Sequence, residues 1–216
     1  VLCANLGVEH TPLVNRFLVR AFERAISLHL AQNGSTEPIN LASCRLPRVD
    51  LSGLDLHGAD LAFSTLIDAN LRNANLRRVR GIEVDLKRAT LSDADLTEVR
   101  FNGAKCPGAH FHNARLVSAE FRPTENGGAD LRKAEFFGAR LQGAHLDGAD
   151  LRAARFENAN LSDAYLVGAQ LDPIALRSIV NAEKVGHGQK RKPSWLNNAR
   201  FDEPVIAELK RLSGRK

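Results

Sequence analysis

The chain has 216 residues, 44% of them hydrophobic and 25% charged, which suits one compact domain or one solenoid with end pieces and is apolar enough to bury a core. Its net charge of +5 is unevenly placed: residues 1–40 carry three basic against three acidic groups, residues 41–171 carry 17 against 17, and residues 172–216 carry ten against five. No apolar stretch approaches the length that spans a bilayer, and no membrane partner is expected.

The chain contains no Met and opens on Val1, which reads as a processed chain or a piece of a longer one. Residues 1–8 are apolar but lack the basic flank and cleavage site of a secretory signal. Residues 1–40 form an N-terminal segment with a capping helix expected over about 12–32. Thr11-Pro12 supplies its start, Leu13, Phe17, Leu18, Phe22, Ala25, Ile26 and Leu30 its apolar face, and Asn33-Gly34 its end.

A repeat then takes over. Every fifth position from Leu41 to Leu171 makes 27 positions, and all are Leu or Phe except Gly81, Cys106 and Asn126. Two residues earlier lie 26 positions from Cys44 to Ala169, of which 18 are Ala; Cys44, Val49, Ser64, Val79, Val84 and Val99 are also small or branched. A period of five fits neither a helix nor a long strand. Residues two apart share one side of extended chain, so the small residue and the Leu or Phe both face inward, and the polar residue between them faces out. The other two positions are rich in Gly, Asn, Asp, Ser and Arg, which is turn chemistry. Each unit is a very short strand and a corner, and only stacked coils bury its apolar side. The core is therefore assigned to Leu61, Leu71, Leu96, Phe101, Phe111, Phe121, Phe136, Leu151, Phe156 and Leu161, among the other fifth positions.

Ala59-Asp60-Leu61, Ala69-Asn70-Leu71, Ala94-Asp95-Leu96 and Ala159-Asn160-Leu161 resemble the A(D/N)LXX consensus of the pentapeptide-repeat family. The resemblance covers about three-fifths of the chain. It implies an all-β solenoid, a right-handed quadrilateral β-helix of about 6.5 coils with four pentapeptides each, on the order of 30 Å tall at the usual strand spacing. Residues 20 apart would then stack in columns, Phe101 on Phe121 and Phe136 on Phe156, with Gly108, Gly128, Gly148 and Gly168 sharing one corner. The register runs unbroken through 122–128, so a smooth tower without projecting loops is expected.

Residues 172–216 are assigned to a capping helix starting at Asp172-Pro173 and running to about Ala182, a Gly- and Lys-rich linker over 185–195, and a last helix over about 203–213. Lys190, Arg191 and Lys192, near Trp195, with Lys210 and Arg211 beyond, are the residues that could bind an acidic partner or nucleic acid.

Catalytic motifs such as HExxH, GxSxG or a P-loop do not occur, and no catalytic residue, cofactor or metal site is expected. Cys3, Cys44 and Cys106 are odd in number and form no CxxC pair, which fits a reducing cytoplasm, with Cys44 and Cys106 as inert interior thiols. His110 and His112 flank Phe111 and point outward as a solvated pair, with no carboxylate to complete a metal set. Asp130 and Asp150 stack as neighbours but are neutralised by Arg132 and Arg152. Twenty-residue spacing also sets up two ladders, Asp95-Arg115-Glu135-Arg155 and Asp85-Lys105-Glu125-His145, whose charges cancel.

The leading expectation is a non-catalytic protein-interaction or scaffolding module with an unknown protein partner, monomeric or dimeric through a terminal cap. The family resemblance also implies an alternative, a DNA-mimicking regulator that binds DNA gyrase. Such mimicry needs extended anionic faces, which the neutral repeat region does not offer. A further alternative is nucleic-acid binding through the basic tail.

Overall fold

The computed structural model describes residues 38–181 and 198–214, together with Arg24 and Leu28. Of the N-terminal helix expected over about 12–32, only these last two positions fall among the described residues, and both are helical. The chain from residue 39 onward winds into a four-sided coil. Single parallel bridges join each outward-facing residue to its counterpart one coil on: Asn40 to Asp60, Arg45 to Thr65, Asp50 to Asn70, Asp55 to Asn75. The backbone pairing is that of a parallel ladder, with the Leu41 N–H donating to the Asp60 carbonyl (2.7 Å) and the Asp60 N–H to the Ile39 carbonyl (3.0 Å).

Each corner is a tight turn closed by a hydrogen bond from the small residue to the preceding core carbonyl, as from the Ala59 N–H to Leu56 O at 3.0 Å. The residue before the small one takes positive φ at nearly every corner, as the third position of a type II turn requires. Gly fills this place at Gly58 and Gly148, but Ser43, Arg88, Asp93 and Lys133 occupy it too, each at φ between 55° and 61°. The outward Asp or Asn of the repeat has a structural task here. Its carboxyl or amide oxygen accepts the N–H two residues on, as in Asp50 with Ser52 (3.1 Å) and Asp60 with Ala62 (2.9 Å). That N–H faces out of the turn, and the side chain satisfies it locally.

The coil interior is closed. Leu61, Leu71, Leu96, Leu151 and Leu161 are buried, as are Phe101, Phe111, Phe121, Phe136 and Phe156. Phe111, Phe136 and Phe156 stack face to face, with centroids 4.9 and 5.0 Å apart, while Phe101 meets Phe121 edge-on at 5.8 Å.

The smooth tower is interrupted once. Up to the Arg100–Glu120 bridge the coil repeats every 20 residues; Lys105, His110, Arg115 and Glu120 then pair with Asp130, Glu135, Arg140 and His145, 25 residues on. Twenty-residue spacing returns at Asp130–Asp150. The surplus is taken up at 122–128, where Thr124 and Gly127 pair in a miniature antiparallel bridge. This excursion is anchored: Glu83 Oε1 accepts from Thr124 Oγ1 (3.1 Å) and Asn126 Nδ2 (2.7 Å), and Asn102 Oδ1 from the Arg122 N–H (3.0 Å). Because it equals one repeat in length, the five-residue rhythm of the sequence passes over it unchanged. The expected Gly108–Gly128 link is broken by it; Gly128 still lies against Gly148 and Gly148 against Gly168, but Gly128 does not take the positive φ of a corner.

After residue 171 two helices follow, α1 (Pro173–Asn181) and α2 (Glu203–Ser213). Between them Ala199-Arg200-Phe201 returns to the solenoid as one more unit. Arg200 bridges Tyr165, and Asn198 takes the corner φ of 59°. The last coil would otherwise expose unpaired N–H groups. Asp172 accepts from the Ala153 N–H (3.0 Å), Ser178 Oγ from the Phe156 N–H, and Asp202 from the Gly168 N–H (2.8 Å). Ile179 of α1 and Leu209 of α2 are buried against the same core. Gly214 ends α2 in a left-handed cap.

Candidate functional site

With the interior filled, chemistry is confined to the outward positions, which the ladders sort into four columns. The 25-residue turn rearranges them. Above it Glu135 lies on His110, not on Arg115, and Arg115 meets Arg140. Neither charge ladder expected from 20-residue spacing survives: the columns read Asp95, Arg115, Arg140, Asn160 and Asp85, Lys105, Asp130, Asp150. His145 belongs to a third column, between Glu120 and Tyr165.

The pair His110 and His112 is corrected most. Glu135 Oε2 lies 2.9 Å from His110 Nδ1 and 2.8 Å from His112 Nε2. The carboxylate that was missing from the sequence neighbourhood is supplied by the next coil. Burial raises the Glu135 pKa, but the hydrogen bonds from His112 and His110 outweigh it and leave the carboxyl below its ordinary value. Phe137 packs edge-on against the His112 ring at 5.0 Å.

A second cluster lies on the column of Glu120. The His145 ring stacks on Tyr165 (4.2 Å, 16°), and the Arg200 guanidinium sits over the other side of that ring at 4.7 Å. Arg122, at the foot of the excursion, reaches His145 Nε2 at 3.1 Å. Tyr165 is the only Tyr in the chain. Nothing in the five-residue rhythm marked this cluster, because Arg200 comes from beyond α1. Its one visible signal was Ala199-Arg200-Phe201, which keeps the small-polar-aromatic order and falls in phase with the repeat.

Asp130 and Asp150 do stack, and each is held by an arginine two residues on: Arg132 Nη2 to Asp130 at 2.7 Å and Arg152 Nη2 to Asp150 at 2.6 Å. The Arg152 hydrogen bond holds the Asp150 carboxyl below its usual range against the opposing effect of burial. Cys106 is a buried free thiol, pushed far up by burial and then by the charges of Asp130 and Asp85. Cys44 corrects the sequence reading: it is disulfide-bonded and not an inert free thiol.

A family model for pentapeptide repeats matches eight copies across residues 39–73, 59–97, 94–122, 127–152 and 134–172, more than half of the chain. The chain belongs to the pentapeptide-repeat family. Its fold is accordingly the right-handed quadrilateral β-helix of that family, which is non-enzymatic. Among solved structures, trypsin-treated QnrB1, a plasmid-mediated fluoroquinolone resistance protein, shares 18% identity over 84% of this chain and 90% of its own, with a TM-score of 0.45. HetL, involved in heterocyst differentiation regulation in the cyanobacterium Nostoc sp. strain PCC 7120, shares 23% over 76% and 98%, with a TM-score of 0.23. A pentapeptide-repeat protein of the Arabidopsis thaliana thylakoid lumen shares 20% over 73% and 88%, with a TM-score of 0.37. No curated protein sequence matches the chain.

In this pentapeptide-repeat protein the basic residues singled out from the sequence do not gather into one described patch. Lys190, Arg191 and Lys192 lie outside the described residues. Lys210 is exposed on α2, and Arg211 beside it is paired with Glu208 at 2.6 Å. Among the described residues no helix is long and apolar enough to cross a membrane.

Proposed function

We propose that the protein is a non-catalytic protein-interaction module, and that its partner docks on the face carrying Arg122, His145, Tyr165 and Arg200. The observation that carries this reading is the stack of Tyr165 between His145 and Arg200. Tyr and Arg are the residue types that dominate binding hot spots, and here they stand on a ladder-held backbone that loses little freedom when a partner binds. Pull-down with the protein as bait, repeated with Tyr165→Ser and Arg200→Ser, tests it. A partner should be retained by the wild type and lost, by roughly 30-fold in affinity, from the variants. Equal retention by all three refutes the face, and no retained protein refutes the module.

The reading includes a monomer or a dimer through a terminal cap, which sedimentation resolves. The gyrase-directed alternative draws no support from the charges, since residues 41–171 balance and Asp130 and Asp150 are each neutralised. Inhibition of supercoiling by added protein would revive it. Nucleic-acid binding through the tail predicts salt-sensitive binding lost on truncation after Val185. A cytoplasmic location remains part of the proposal, and the disulfide at Cys44 opposes it. Thiol trapping decides when cells are acid-quenched and denatured before alkylation, because Cys44 is buried; a Cys44 that then alkylates without prior reduction agrees with a reducing compartment.

A further inference from the structure

We infer that His110, His112 and Glu135 form a binding site for one divalent transition-metal ion of the zinc class. The three side chains each offer one ligand atom, and those atoms lie within 4.8 Å of one another. Two imidazole nitrogens and one carboxylate oxygen are a donor set that zinc, copper and nickel prefer and that magnesium and calcium do not. Three protein ligands leave a further position open to water or to a partner's donor. The side chains are 41%, 39% and 28% exposed, so an ion reaches them from solvent without opening the coil.

The backbone beneath the site is fixed. His110 and Glu135 are bridged, the Phe111 N–H donating to Glu135 O at 2.7 Å and the Glu135 N–H to Ala109 O at 2.9 Å. Zinc ligands about 2.0–2.2 Å from a tetrahedral ion stand roughly 3.3–3.5 Å apart. Glu135 Oε2, at 2.9 and 2.8 Å from the two nitrogens, needs only a small rotation outward to admit the ion.

What surrounds Glu135 also sets it apart from five other carboxylates of these faces. Asp60, Asp68, Glu98, Asp130 and Asp150 are each held by an arginine. Arg155 stands next to Glu135 in its column, yet its guanidinium lies over the Phe137 ring at 4.6 Å and donates to Glu157 at 3.1 and 3.2 Å. Glu135 is thereby left to the imidazoles, and Phe137 orients both the His112 ring and the diverted cation. Without an ion the same geometry is a shared hydrogen bond in which each imidazole donates to one carboxylate oxygen, and the experiment separates the two.

Full-length protein without an affinity tag, cleared of metal by a chelator, is titrated with zinc by calorimetry and with cobalt(II) by visible absorption. One equivalent should bind at this site, with a tetrahedral cobalt spectrum and a raised unfolding midpoint in zinc. His112→Ala and Glu135→Gln should each weaken binding about tenfold or more and abolish the cobalt band, while circular dichroism shows both folded. His57→Ala, an exposed histidine outside the set, should bind as the wild type does. The inference is overturned if millimolar zinc fails to bind, if Glu135→Gln and His112→Ala bind unchanged, or if His57→Ala loses the ion equally.

Discussion

Glu135 sits one coil above His110 although 25 residues separate them in the chain, and the Thr124–Gly127 excursion is the reason. Every outward neighbour pair between the Lys105 and Glu120 bridges is set by this one surplus unit. The excursion rests on Glu83 and Asn102, so it is part of the packed surface.

Deleting residues 123–127 joins Phe121-Arg122 directly to Gly128-Ala129-Asp130 and leaves a regular corner, with Gly128 at the position that takes positive φ. The columns above and below keep their present pairings, because the excursion lies outside the ladder. The lost hydrogen bonds to Glu83 are offset by a shorter, less entropically costly connection. The unfolding midpoint should move by only a few degrees, at about 2–4 °C per kcal/mol for a chain of this size. Collapse of the cooperative transition would mean that the excursion positions the coils.

The repeat was legible in the sequence because each fifth residue must fill the axis of the coil, and only apolar side chains do so. Column identity was not, because an insertion of one full unit preserves the period while shifting what lies above what. Two residues did carry the signal: Thr124 and Asn126 place polar groups at a small-residue and a core position in succession. The metal-ligand candidates His110 and His112 were visible as a pair, but their carboxylate was assigned to the column of Asp95 and Arg115, a spacing of 20 that the surplus unit shifts to 25. The unit at Ala199-Arg200-Phe201 was hidden by the helix that precedes it, and with it the cation over Tyr165.

Gly81 occupies a core position that Leu or Phe fills elsewhere, and the Phe101 ring on the next coil takes the space. A Cβ at residue 81 would come within 2.5 Å of that ring. Gly81→Ala should therefore cost about 1–3 kcal/mol by overpacking. Phe101→Leu should also destabilise, by less than the roughly 3–5 kcal/mol of a Phe→Ala change, through the gap it leaves. Combined, the larger residue at 81 fills that gap, and the double variant should recover about 1–2 kcal/mol relative to additivity in denaturant unfolding. Strict additivity would refute the compensation.

Asp150, held down by Arg152, and Asp68, held down by Arg88, both have folded carboxyls below their ordinary value of 3.8. A depressed folded pKa contributes stability that is present above the unfolded value and is lost as pH falls through the folded one. Thermal midpoints should stay level from neutral pH to roughly that ordinary value and decline below it. Asp150→Asn should lower the neutral-pH midpoint and flatten the acid decline, bringing the two curves together at low pH. Parallel curves at all pH values would show that the pairing contributes nothing to folding.

Cys106 stands where most coils place Leu or Phe, and it is wholly buried. Thiolate is the reactive form of cysteine, and burial with two nearby carboxylates, Asp130 and Asp85, suppresses it. Reagent must therefore wait for the coil to open. Iodoacetamide at neutral pH should leave Cys106 unmodified in native buffer and label it fully in guanidinium, as read by peptide mass spectrometry. The protection should be roughly a thousandfold or more, given unfolding free energies of about 5–15 kcal/mol. Rapid native labelling would mean that the coil around Cys106 opens without global unfolding, and the Lys105–Asp130 bridge beside it, where the 25-residue turn begins, is where such an opening would start.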